Sequence, residues 1–163
     1  MGKTCAFSGH RPEKLPWGSN EQDPRCVALK IKMEQELRRL CEAGTDRFLC
    51  GMARGTDLMF GELVVKLRGA YPITLEGALP CPGQETRWPQ KEQARFQALL
   101  GQCDSVTCLE QNYSEGCMLR RNRYMVDNAQ LLLTVWDGNP HSGTGATVAY
   151  GRQRGLTIIP LWR

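Results

Sequence analysis

The chain has 163 residues, enough for one domain around a single sizeable core. Its 41% hydrophobic and 23% charged residues exclude a disordered or fibrous chain, and no apolar run approaches the ~18–20 residues that a bilayer span needs. The net charge of +4, spread over scattered Lys and Arg, favours an anionic ligand and does not argue for a dedicated nucleic-acid binder.

The predicted elements alternate strand and helix. TCAFS (4–8) reads as a first strand. Asp23-Pro24 sets a helix start, with Asp as N-cap and Pro in the first turn. Cys26, Leu29, Met33, Leu37 and Leu40 then recur at spacings of three and four, which makes one apolar helical face. Gly44 is a natural stop. RFLC (47–50) is a second strand, followed by a helix over 57–68. ITLEGAL (73–79) is a third, followed by a Pro/Gly loop and a helix over 90–100. DSVTCL (104–109) is a fourth, followed by a helix over 116–129. QLLLTVW (130–136) is a fifth, followed by a helix over 145–154, and TIIPL (157–161) closes the chain. Repeated alternation of this kind predicts an α/β fold: a mainly parallel, doubly wound sheet with helices on both faces, in one domain over 1–163.

In such folds ligands sit outside the carboxyl ends of the strands, so the loops there carry the functional expectation. After the first strand, Gly9 lets backbone approach a ligand, while His10 and Arg11 add a switchable donor and a permanent cation. After the second, the run Gly51, Met52, Ala53, Arg54, Gly55, Thr56, Asp57 opens a helix whose free amides suit phosphate. Thr56 or Asp57 is the expected cap, and Asp57 would repel a phosphate if it pointed at one. The fourth helix carries Arg120, Arg121 and Arg123, which cannot all face one ligand, and Asn122 near its apolar seam. Met118 and Met125 read as core. After the fifth strand, Asp137 starts a loop that runs through Ser142, Gly143, Thr144 and Gly145 into a helix holding Thr147, where hydroxyls and bare amides can cradle an oxyanion. Trp88 and Tyr113 fall in loops and read as ordinary aromatics. The eight cysteines include no CxxC pair, and with only two histidines no zinc site is expected. MGKTCAFSGHR has no signal-peptide pattern, so a cytoplasmic protein with free thiols is expected.

SGHRP, GMARGTD and RNRYMVDNAQLLLTVWDG…SGTGATVAYGRQRG, in this order, resemble the YpsA-like proteins of the SLOG superfamily. That superfamily also holds the Smf/DprA DNA-processing proteins and the "lonely guy" phosphoribohydrolases. The resemblance covers nearly the whole chain, with 80–100 its least diagnostic part. It implies a Rossmann-like three-layer α/β/α fold and a site for a nucleotide, nucleotide sugar or related ligand. No cofactor is required and no membrane is involved; self-association is left open. Compared with the hydrolase relatives, Arg121 and Arg123 fall in the arginine-bearing helix and 142–147 falls on the glycine motif. Val148 and Ala149 stand where those enzymes place glutamates. The first expectation is therefore binding or sensing of a phosphate-bearing nucleotide derivative. The second is N-glycosidic hydrolysis, with Asp57, Asp127 or Asp137 as substitute acid. The third is single-stranded DNA binding.

Overall fold

In the computed structural model, which describes residues 2–162, the pattern folds as one six-stranded sheet. In chain order the elements are β1 (Lys3–Gly9), α1 (Pro24–Glu42), β2 (Thr45–Cys50), α2 (Thr56–Leu67), β3 (Thr74–Leu79), α3 (Gln90–Leu100), β4 (Ser105–Cys108), α4 (Cys117–Asp127), β5 (Leu131–Val135), α5 (Gly143–Gln153) and β6 (Thr157–Pro160). A short 3-10 turn, Pro12–Lys14, follows β1. Asp23 caps α1 by accepting from the Arg25 amide, with Pro24 as its first residue. Gly44 stands beyond the end of that helix at φ +105, a conformation other residues resist.

The strand order is β4-β3-β2-β1-β5-β6, and every neighbouring pair is parallel. From β1 the chain steps outward through β2, β3 and β4. It then crosses back to lay β5 on the other side of β1, with Cys5 opposite Leu131 and Gly9 opposite Val135. The direction of winding therefore reverses between β1 and β5, and the connections that leave the carboxyl ends of these two paired strands run to opposite faces of the sheet, which opens a crevice there.

Side chains alternate across the buried strands with period two. Cys5, Phe7, Phe48, Cys50, Leu75, Leu131 and Leu133 pack under α1, α2 and α3. Ala6, Leu49, Ala78 and Leu132 face the other way, against Met125 of α4 and Val148 of α5. Phe7 stacks on Phe60 with ring centroids 4.7 Å apart. The outer strands β4 and β6 are partly exposed, as sheet edges are. Among the described residues no helix is long and apolar enough to cross a membrane.

Candidate functional site

The reversal point holds a cavity of about 380 Å³. Four parts of the chain form it: the end of β1 and the turn after it, the loop entering α2 with the start of that helix, the first turns of α4, and the N-terminus of α5. Of the residues expected from the sequence, Gly9, His10, Arg11, Ala53, Asp57, Arg121, Asn122, Ser142, Gly143 and Thr144 line it. Phe7, Ser8, Glu13, Lys14, Met118 and Leu119 line it as well, and sequence reading did not select them as site residues.

The first wall is the chain after β1. The His10 amide donates to the Val135 carbonyl (3.1 Å), which keeps this segment beside β5. The ring is buried. Its Nε2 lies 3.1 Å from the Asp137 amide and 3.2 Å from the Asp137 carboxylate, whose pKa is lowered chiefly by the Asn139 amide. Asp137 thus orients His10 and does not itself line the cavity. Gly9 is required by packing: a Cβ there would stand 2.7 Å from the Phe7 ring and closer still to the Thr56 hydroxyl. Arg11 and Lys14 stand exposed at the rim, with an Arg11 guanidinium nitrogen 2.9 Å from the Met118 sulfur.

The second wall comes from the loop after β2. Neither Thr56 nor Asp57 caps α2, because Gly55 is the N-cap at φ +85, pressed against Pro12 and the His10 carbonyl. The Thr56 hydroxyl donates to that carbonyl (2.9 Å). Met52 adopts φ +62, an uncommon conformation for a non-glycine residue. Arg54 turns away from the cavity and pairs with Glu92 and, at 2.7 Å, with Glu13.

The floor is Asp57 and Arg121, both buried. Asp57 accepts one hydrogen bond, from the Ala53 amide at 3.1 Å. Arg121 donates to the Gly51 and Ala78 carbonyls and, through Nε, to Asn122 Oδ1 at 2.9 Å. Burial pushes the Asp57 carboxyl up to about 6, against the pull of the Arg121 charge and the Ala53 amide. Burial likewise lowers the Arg121 pKa, while the Asp57 charge supports it. Gly51 is needed here: a Cβ would come within 3.0 Å of both the Arg121 guanidinium and the Asp57 carboxylate.

A raised carboxyl pKa has a definite sign. Below the unfolded value the folded state loses nothing, and stability is lost as pH rises through the folded value. A rise from the ordinary 3.8 to about 6 corresponds to roughly 3 kcal/mol. Asp57→Asn should therefore gain on the wild type by up to about 3 kcal/mol as pH rises from about 4 to about 7. Urea unfolding of both proteins across this range reads the difference, and parallel curves would contradict the assignment.

The third wall is α5. The Ser142 hydroxyl accepts from the Gly145 amide (2.9 Å) and donates to the Asn139 carbonyl (3.0 Å). The amides of Gly143 and Thr144, the first two residues of the helix, have no partner within it. Gly143 is exposed, with nothing within 4 Å of where its Cβ would be. Gly145 is buried against the loop backbone. Thr147 accepts from Asn122 (3.1 Å) and donates to the Gly143 carbonyl (2.9 Å), which ties α4 to α5. Arg123 lies outside the cavity, 5.2 Å from the centre of the Tyr150 ring, beside a shallow depression of about 30 Å³. Met118 stands half-buried on the cavity wall and not in the core. Trp88 packs against Phe96, and Tyr113 is 72% exposed and outside the cavity.

Residues 5–154 match the family YpsA, described as the YspA SLOG family. The chain belongs to the YpsA family of SLOG proteins. It is similar to a UPF0398 protein of Halalkalibacterium halodurans, 30% identical over 139 residues that cover 83% of this chain and 72% of that one. A UPF0398 protein of Bacillus velezensis is 28% identical over 139 residues, covering 83% and 75%. The solved structure of DNA processing protein A from Helicobacter pylori, reported with its single-stranded DNA binding mode, matches at a TM-score of 0.65 with 16% identity. That match covers 97% of this chain and 64% of the Helicobacter protein. It establishes the shared Rossmann-like fold.

Proposed function

We propose that this YpsA-family chain binds a phosphate-bearing nucleotide derivative, such as a nucleotide, nucleotide sugar or ADP-ribose, in the cavity between β1 and β5. The observation that carries this reading is the convergence of three anion-favouring features on one crevice. These are the unsatisfied amides at the start of α5, an unobstructed Gly143 beside them, and the Arg11 and Lys14 cations at the rim. The cavity volume falls within the range of small-molecule sites, and Phe7, Met118 and Leu119 offer apolar surface for the rest of the ligand. All eight cysteines are free thiols, which suits a reducing cytoplasm.

Thermal stability measured against a panel of nucleotides, ADP-ribose and NAD tests the reading. A ligand at about 100 times its dissociation constant should add about 2.7 kcal/mol, and no stabilisation at millimolar ligand would overturn the proposal. In Gly143→Val the branched side chain meets no protein atom within 4 Å at Cβ, so the free protein should keep its melting temperature. It should lose at least about tenfold in affinity if the ligand approaches this backbone closely. Unchanged binding would remove α5 from the site.

One observation favours a second reading, N-glycosidic cleavage. Val148 is buried in the core and Ala149 is exposed, so the positions matching the hydrolase glutamates bring no acid to the cavity. Asp57, however, places a carboxyl with a pKa of about 6 on the floor, in the range useful for proton transfer. Release of free base from any stabilising nucleotide would support this reading, whereas binding without turnover supports the first. Stabilisation by single-stranded oligonucleotides alone would favour a nucleic-acid role.

A further inference from the structure

We propose that this cavity takes up its anionic ligand together with a proton, carried on the Asp57 carboxyl. The inference rests on the ligand-binding reading above and adds a regulation to it: occupancy responds to pH near neutrality.

The geometry of the floor supplies the reason. Asp57 is 6% exposed and lines the cavity, and among the described residues only the Ala53 amide donates a hydrogen bond to its carboxylate. Its nearest cationic support, Arg121 from α4, directs Nη1 to the Gly51 and Ala78 carbonyls and Nε to Asn122. Arg121 therefore lends a field and no direct salt bridge. Arg11, from the segment after β1, adds a weaker positive influence, while the Cys50 thiol of β2 stands close on the other side. The remaining charged or titratable groups around the cavity are the His10–Asp137 pair, Glu13 and Lys14.

A phosphate held in about 380 Å³ shares a small space with this carboxylate. Two like charges in such a space cannot both ionise cheaply, and the one with the nearer pKa takes a proton. Once protonated, Asp57 turns from an acceptor that repels the ligand into a donor that can bond a ligand oxygen. Burial already holds the Asp57 carboxyl at about 6. At neutral pH most molecules must therefore gain a proton on binding, and below about 6 most already carry it. The opposite arrangement, an ionised Asp57 accepting from sugar hydroxyls, would give the opposite sign.

Calorimetric titration with ADP-ribose, whose pyrophosphate keeps its charge across this range, separates the two arrangements. Sulfate, an anion with no sugar, serves as a second probe. Run in buffers of different protonation heat, the expected result is uptake of up to about one proton per ligand near pH 7, with affinity falling by up to about tenfold per pH unit above about 6. Asp57→Asn should bind at about pH 8 as tightly as wild type binds at about pH 5, with no slope between them. If that variant does not fold, the proton count on the wild type decides alone. Proton release, affinity independent of pH, or an unchanged slope in Asp57→Asn would overturn the coupling while leaving the pocket as a ligand site. Absence of binding by either probe at every pH would overturn the reading of the pocket, and the coupling with it.

Discussion

Arg121→Met should destabilise the protein by about 3–5 kcal/mol at neutral pH, the largest single-residue effect expected from the site. Methionine has nearly the volume and reach of the arginine stem, so packing loss is not the main cause. Two consequences follow from losing the guanidinium. The Gly51 and Ala78 carbonyls lose a buried donor, although Gln84 still reaches Gly51 at 3.2 Å. Asp57 also loses the charge that supports its ionised form. A buried carboxylate without a counter-charge escapes by binding a proton, so its pKa should climb above its present value of about 6. The deficit should accordingly be smaller at about pH 5, where the proton is available, than at about pH 8. Denaturant unfolding at both pH values checks this. An equal loss at the two would mean that Arg121 acts through its carbonyl bonds alone.

The same pair shows what sequence reading could and could not reach. The elements were legible because each rests on local chemistry: Asp23-Pro24 opens α1, apolar residues at helical spacing form its buried face, and Gly44 ends it. The glycine-rich loops were legible as candidates because they follow strands. What those loops do depends on partners far along the chain. Arg54 resembled a phosphate-binding cation, yet its partners Glu92 and Glu13 lie 38 and 41 residues away. Of the arginines on α4, Arg121 is the one that turns inward, toward carbonyls of β3 and of the loop after β2. Met118 followed the helical spacing of a core position. That spacing identifies the inward face of α4 but not where the sheet beneath it stops. Glu13 and Lys14 carried no pattern at all. They join the cavity because Pro12 starts a 3-10 turn that carries them past the end of β1. The reversal between β1 and β5, which places the cavity, is a property of strand order and has no local signature.

The glycines of α5 give the sharpest separation between scaffold and site. Gly145→Ala should cost about 1–3 kcal/mol by overpacking, because the added methyl would stand 2.9 Å from the Pro140 Cα and carbonyl carbon and closer still to the Asn139 carbonyl oxygen. These are backbone atoms and cannot rotate away. The Asn139 oxygen also accepts from the Ser142 hydroxyl and from the Trp136 indole, so shifting it loosens the cap of the helix as well. For a chain of this size the loss should lower the melting temperature by roughly 2–4 °C per kcal/mol. Gly143→Ala, two residues earlier, meets open space and should leave the melting temperature within about 2 °C, since surface changes of this kind stay within about 0.5 kcal/mol. The sequence motif SGTG presents these glycines as equivalent. The fold assigns one to seating the helix on its loop and leaves the other open at the cavity edge. If both variants melted alike, the close packing of Gly145 beneath the loop would be wrong, and with it the fixed position of the helix N-terminus on which the proposed phosphate site depends.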